Sequence, residues 1–279
     1  MLSSPTMSLP QPPSIALLAI EPFRAAFEFA GHHLMSGAEL PQGERHAVVI
    51  FPGLATNQYV TRPLQSFCEK LGYACFDWGM GVNVGPQGEI DAWLDLVTAK
   101  VQEQTAAHPE PISLVGWSLG GIYAREVAKR LEQRVRQVIT LGSPFAGVAE
   151  QTRAGSVYRL VNGSHPPTDP LLLQALRTAP PVPTTSIYSQ SDGIVAWQAC
   201  LDPKGVAHAE SIEIEGSHCG MTWNPAALRV VADRLAQPLG DWQPYAPAQF
   251  AETPPSPKPP RSVRGRGLRA VRAAADARL

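Results

Sequence analysis

Between residues 46 and 239, short apolar runs alternate with longer stretches whose apolar positions recur every three or four residues. Residues 47–51, 73–78, 112–115, 135–141, 185–188 and 211–214 are runs of the first kind, which read as strands, mostly buried on both faces. Residues 60–71, 89–104, 121–132 and 225–236 are stretches of the second kind and read as helices, with Leu228, Val231 and Leu235 marking the buried stripe of the last. Strand and helix in alternation predict βαβ units. The expected class is therefore α/β, with a mostly parallel central sheet flanked by helices.

One interval breaks the alternation. Residues 145–183 show no clear strand-like run, only the clusters His165-Pro166-Pro167 and Pro180-Pro181-Val182-Pro183 around a short helical piece at 170–176. An insertion of that length inside a compact domain is more often functional than connective, so it is expected to cap the site. Residues 1–13 read as a disordered leader and residues 14–36 as an amphipathic helix, in which Ile15, Leu18, Phe23, Phe27, Ala30 and Leu34 recur at helical spacing and Pro22 interrupts or restarts the helix. Two readings of this helix stay open: it packs on the domain, or it makes a peripheral contact with lipid or an apolar substrate phase, without the basic polar face common in such helices. The main domain is expected over residues 37–243, followed at 244–279 by a disordered tail rich in Pro and Arg.

The composition supports a folded domain. Of 279 residues 44% are hydrophobic and 17% charged, enough apolar material for a large core. The net charge of −1 argues against nucleic-acid binding by the folded domain, but it hides an asymmetry. From Lys258 onward the chain carries Lys258, Arg261, Arg264, Arg266, Arg269, Arg272 and Arg278 against the single acid Asp276, a net +6. Such a tail reads as solvated, or as a segment that docks on nucleic acid or anionic lipid. No apolar stretch reaches the length of a membrane span, and residues 14–20 lack the basic residues that precede a signal-peptide core, so a cytoplasmic location is expected. The four cysteines, Cys68, Cys75, Cys200 and Cys219, have no zinc-ligand spacing, and no metal is expected.

The chemistry concentrates in Gly116-Trp117-Ser118-Leu119-Gly120-Gly121, which follows one strand-like run and opens a helical stretch. Gly-x-Ser-x-Gly alone occurs by chance, but between strand and helix it meets the requirements of a nucleophile elbow. The sharp turn strains the serine backbone and leaves no room for a Cβ two residues to either side, a demand that Gly116 and Gly120 meet. A serine hydroxyl needs a base to take its proton and an acid to orient that base, arriving in the order Ser, acid, His. Asp192 stands just beyond the fifth strand-like run and His218 just beyond the sixth, so Ser118, Asp192 and His218 form the candidate triad. The oxyanion donors expected are the backbone N–H groups of Leu119, next to the nucleophile, and of Leu54, in the Pro52-Gly53-Leu54 turn after the first strand.

With Pro52-Gly53-Leu54, GWSLGG, Ser191-Asp192-Gly193 and GSHCG, the chain resembles the α/β-hydrolase superfamily, particularly its bacterial esterase and lipase-like branch, over roughly residues 46–242. Pro52 and Trp117 stand where many lipases carry His. The resemblance implies a serine hydrolase that cleaves carboxylic esters, small-molecule or lipid, through an acyl-enzyme, with no cofactor and no obligate protein partner. An acyltransferase or thioesterase with the same triad and a non-catalytic binding module are the alternatives. Cys200 and Cys219 fall in the loops of the proposed acid and base, where they are either buried free thiols or a disulfide tying those loops together.

Overall fold

The computed structural model describes residues 12–34, 40–41, 43–147 and 169–246. Most of the expected leader, most of the insertion and nearly all of the Pro- and Arg-rich tail lie outside the described residues.

Six strands, β1 (Ala47–Phe51), β2 (Ala74–Asp77), β3 (Ile112–Trp117), β4 (Val135–Leu141), β5 (Thr184–Tyr188) and β6 (Ala209–Glu213), form one sheet in the order β2-β1-β3-β4-β5-β6. Every neighbouring pair is parallel. The helices are α1 (Ile15–Leu34), α2 (Gln58–Lys70), α3 (Ile90–Gln104), α4 (Leu119–Arg130), α5 (Pro170–Arg177) and α6 (Pro225–Leu235). The expected α/β class and all six strand positions are found, with ends shifted by a residue or two.

Side chains alternate across the sheet, so each central strand feeds two cores. Val48, Ile50, Val115, Trp117, Ile139 and Leu141 pack against α2 and α6, while Ala47, Val49, Phe51, Ile112, Leu114 and Val138 pack against α3 and α4. That two-sided burial is why these strands read as continuous apolar runs. The chain leaves β1 in one direction to make β2 and then crosses over to β3, so the winding reverses between β1 and β3. Ligands of open α/β sheets bind beyond the carboxyl ends of the strands at such a point.

α1 differs from expectation at Pro22. It is one helix that passes through Pro22 rather than breaking there. It also packs through its polar side: Glu21 is 2% exposed, whereas Ile15, Phe23 and Phe27 are 73%, 77% and 82% exposed. On that polar side Glu21, Arg24 and Glu28 all find hydrogen-bond partners. Among the described residues no helix is long and apolar enough to cross a membrane.

Candidate active site

β3 ends in a sharp turn whose corner is Ser118, with φ 55° and ψ −126°, a conformation L-residues adopt only under strain. The turn closes because glycines surround it. A Cβ on Gly120 would collide with the carbonyl oxygens of Phe51 and Pro52, and one on Gly116 with the backbone of Gly121. The Ser118 N–H donates to the Leu141 carbonyl at 2.8 Å and its carbonyl accepts from Gly121 at 3.1 Å, which offsets part of the strain. Ser118 thus stands at the N-terminus of α4, beside the reversal point of the sheet.

The loops after β5 and β6 bring Asp192 and His218 to it. His218 Nε2 lies 3.0 Å from Ser118 Oγ, and His218 Nδ1 lies 2.7 Å from Asp192 Oδ2. The three residues are 8%, 4% and 3% exposed, in the order Ser118, His218, Asp192. Asp192 Oδ1 accepts from the N–H groups of Ile194 at 2.8 Å and Val195 at 2.7 Å, so its other oxygen is held on the imidazole. A carboxylate only accepts, so Nδ1 carries the proton and Nε2 is left to accept from the serine hydroxyl. Burial lowers the His218 pKa, but Asp192, with a smaller contribution from Glu21, outweighs it and leaves the group above its ordinary value.

The segment after β1 flanks the same spot. A Cβ on Gly53 would lie 2.9 Å from the Trp117 ring and 3.3 Å from Ser118 Cβ, so only glycine lets this loop approach Ser118 so closely. Leu54 follows in the turn and Leu119 opens α4, placing both expected donor residues on the two segments bordering Ser118. Asn83, fully buried, fixes the loop. Its side chain donates to the Pro52 carbonyl at 2.8 Å, its carbonyl accepts from Ala55 N–H at 2.7 Å, and its own N–H donates to the Thr56 carbonyl at 2.8 Å.

Sequence reasoning missed several residues around the site. Trp117 donates its indole N–H to the His218 carbonyl at 3.0 Å. Glu28 Oε1 accepts from Ser217 N–H at 2.7 Å, and its Oε2 from the Ser217 hydroxyl at 2.8 Å. Arg24 donates to the Ser191 carbonyl and hydroxyl, and Glu21 reaches both loops. One signal could have found this set: between Ile15 and Gly31 the only charged residues are Glu21, Arg24 and Glu28, and their spacing puts all three on one helix face.

All four cysteines are free, so Cys200 and Cys219 are not a disulfide. The two loops are tied through Glu21 instead, which accepts from Gly193 on one and from His218 and Cys219 on the other. Burial, reinforced by Glu21, pushes the Cys219 thiol up to about 12. A second Ser–His contact, His46 Nε2 to Ser113 Oγ at 2.7 Å, sits at the opposite end of the sheet. Burial and the neighbouring Arg136 lower the His46 pKa to about 4, and its Nδ1 lies 2.7 Å from the Glu44 carbonyl rather than against a buried carboxylate. Among the described residues no group of three His, Cys, Asp or Glu side chains could hold a metal ion.

Comparison with known proteins agrees with this architecture. Residues 47–195 match the sequence model of the family described as palmitoyl protein thioesterase, from the start of β1 to just past Asp192. The pimeloyl-[acyl-carrier protein] methyl ester esterase of Shewanella woodyi is 28% identical over 102 residues, 36% of this chain and 37% of that one. That match spans little more than a third of the relative's length. Among solved structures, Aspergillus fumigatus lipase B superposes with a TM-score of 0.51 at 18% identity, covering 72% of this chain and 55% of the lipase. A Bacillus subtilis protein superposes with a TM-score of 0.50 at 11% identity over 77% of this chain and 98% of its own. These two likenesses are to the fold. The family match covers more than half of the chain, and the protein belongs to the palmitoyl protein thioesterase family, within the α/β-hydrolase superfamily.

Proposed function

We propose that the protein is a serine hydrolase that cleaves acyl esters and thioesters through an acyl-enzyme on Ser118. The observation that carries this reading is the continuous hydrogen-bonded line from Ser118 Oγ through the His218 ring to Asp192. His218 takes the Ser118 proton as the hydroxyl oxygen attacks the acyl carbonyl, and Asp192 holds the imidazole and stabilises its cation. The backbone N–H groups of Leu54 and Leu119 receive the developing oxyanion, the second of them at a helix N-terminus whose dipole favours negative charge. The tetrahedral intermediate then collapses, and His218 returns the proton to the departing alcohol or thiol. Water, deprotonated by the same His218, attacks the acyl-enzyme and releases the acid.

Thioesters join esters in the proposal because of the family match, and the Shewanella relative's name specifies a methyl ester. Both leaving groups suit one machinery, since each needs a single proton from His218. The remaining part of residues 145–183 that is described, including α5, belongs to the proposed cap. Lys129 on α4 donates to the Ala175 carbonyl at 2.7 Å, and Arg177 donates to the Ala146 carbonyl at 3.0 Å, so the foot of that insertion is pinned beside the helix that Ser118 opens.

The test is hydrolysis of p-nitrophenyl esters and acyl-coenzyme A thioesters, from acetyl to palmitoyl, by the wild type and Ser118→Ala, together with labelling by a fluorophosphonate. Turnover and labelling by the wild type, both abolished in the variant, are expected. Turnover that survives in Ser118→Ala would remove the serine from the mechanism.

A further inference from the structure

Three backbone N–H groups from two loops converge on one side chain of α1. Glu21 Oε1 accepts from Gly193 at 2.7 Å and from His218 at 3.1 Å, and Oε2 accepts from Cys219 at 3.1 Å. The first donor follows Asp192 directly and the second belongs to His218 itself. The approach is close: a Cβ on Gly193 would lie 2.7 Å from the Leu17 backbone, and one on Gly220 would collide with the Glu28 carboxylate. α1 lies outside the family-matched residues and outside the sheet, yet it holds the acid loop to the base loop.

We propose that Glu21 is a positioning residue for the acyl-transfer reaction, setting the geometry of His218 between Asp192 and Ser118; the inference rests on the hydrolase reading of that site. Two physical effects separate this from mere support. Without the carboxylate, three N–H groups lose their acceptor, and the loops relax relative to one another. Without its charge, the His218 cation also loses a stabilising neighbour. The groups facing His218 are Asp192 and Ser118 from the sheet-end loops and Glu21 from α1, with Cys219 adjacent; Glu28 and Arg24 act one residue further out, on Ser217 and Ser191.

The experiment compares wild type, Glu21→Gln and Gly193→Ala in kcat, KM and the pH profile of kcat/KM for p-nitrophenyl butyrate, with fluorophosphonate labelling of Ser118 and circular dichroism alongside. Glu21→Gln keeps an acceptor oxygen but loses the charge, so kcat is expected to fall about tenfold at unchanged KM, with the acid limb moved to lower pH. Gly193→Ala pushes the acid loop off α1 and leaves the charge in place, so kcat falls while the acid limb stays. Wild-type kcat and an unmoved acid limb in Glu21→Gln would overturn the inference while the wild type still labels and turns over. If Glu21→Gln does not fold, an unchanged kcat in Gly193→Ala overturns it. A wild type that neither labels nor turns over overturns the hydrolase reading and this inference with it.

The opposite side of α1 carries an independent inference. Ile15, Phe23 and Phe27 are the most exposed there, flanked by Leu18 and Ile20, while Phe29 packs edge-on against Trp223 and the helix's three charged side chains are all engaged on the inner face. This reverses the usual helix on a water-facing surface. We infer that this face docks on an anionic lipid surface. The charge is unevenly divided, net −7 over residues 1–257 and net +6 over residues 258–279, so the basic tail is the segment complementary to anionic headgroups; stable surface binding takes two signals, here that tail and the apolar face.

Flotation of the full chain with vesicles of phosphatidylcholine, with and without phosphatidylglycerol, tests this against Phe23→Glu/Phe27→Glu. Binding to the anionic vesicles, reduced about tenfold by the substitutions with p-nitrophenyl acetate hydrolysis unchanged, is expected. No vesicle binding, binding that the substitutions leave intact, or a solution dimer that they dissociate in a protein that does not bind vesicles would overturn it, the last by assigning the face to a second copy.

Discussion

The indole N–H of Trp117 donates to the main-chain carbonyl of His218 at 3.0 Å, joining the residue before Ser118 to His218 across 101 positions of sequence. The two rings also lie 5.7 Å apart, centre to centre. Trp117 therefore positions His218 from the elbow side as Glu21 does from the α1 side. Trp117→Phe keeps an aromatic ring and removes the donor, leaving the buried His218 carbonyl with only the longer bond from Met221 N–H at 3.4 Å. The expected loss is about 1–2 kcal/mol of stability and about tenfold in kcat. Thermal unfolding and steady-state kinetics measure both.

Asn83 acts on the other border of the site. Replacing it with Ala removes the hydrogen bond to the Pro52 carbonyl and loosens the segment that carries Leu54, which keeps its two main-chain bonds to residue 83 through Ala55 and Thr56. An oxyanion donor matters in the transition state more than in the ground state. Asn83→Ala is accordingly expected to lower kcat by about 10²-fold with KM changed little, which initial-rate measurements over a range of ester concentrations would show.

The pH profile follows from the surroundings of His218. Only the neutral imidazole can take the serine proton, and Asp192 with Glu21 raises its pKa despite burial. Activity is thus lost as pH falls, through a midpoint above about 6.5, the ordinary histidine value. In Asp192→Asn the negative charge is gone, so the acid limb should move to lower pH while kcat drops by orders of magnitude. A kcat/KM profile for each protein reads both shifts.

A buried ion pair holds the core behind the site. Arg125 of α4 lies 2.9 Å from Asp202 and stacks 3.6 Å over the Phe145 ring, with neither charged side chain exposed beyond 2%. Burial lowers the Arg125 pKa and Asp202 opposes that shift. Asp202→Ala leaves the guanidinium buried and unpaired, and about 3–5 kcal/mol of stability should be lost. Arg125→Met combined with Asp202→Leu should recover much of it, as chemical denaturation can check.

The elbow was legible because its constraints are local: glycines two residues either side of Ser118, a strand before it and a helix after. Asp192 and His218 were legible as residues at successive strand ends. The residues that hold them were not. Glu21 meets its partners 172 to 198 positions away, so no window of sequence contains the relationship. For α1 the periodicity is plain in the sequence, but the face that turns inward is not. Apolar stripes usually turn inward for the hydrophobic gain, whereas here unpaired N–H groups on two loops favour the charged face. Pro22 was read as a break, but the hydrogen bonds of Glu21, Arg24 and Glu28 hold the helix on both sides of it.

The most direct test of the central claim is to quench turnover of a long-chain p-nitrophenyl ester in acid within the first cycle and locate the acyl group by peptide mass spectrometry. The account predicts an acyl adduct on the peptide carrying Ser118, absent from Ser118→Ala. Rapid turnover with the acyl group on another residue, or undiminished in Ser118→Ala, would contradict it.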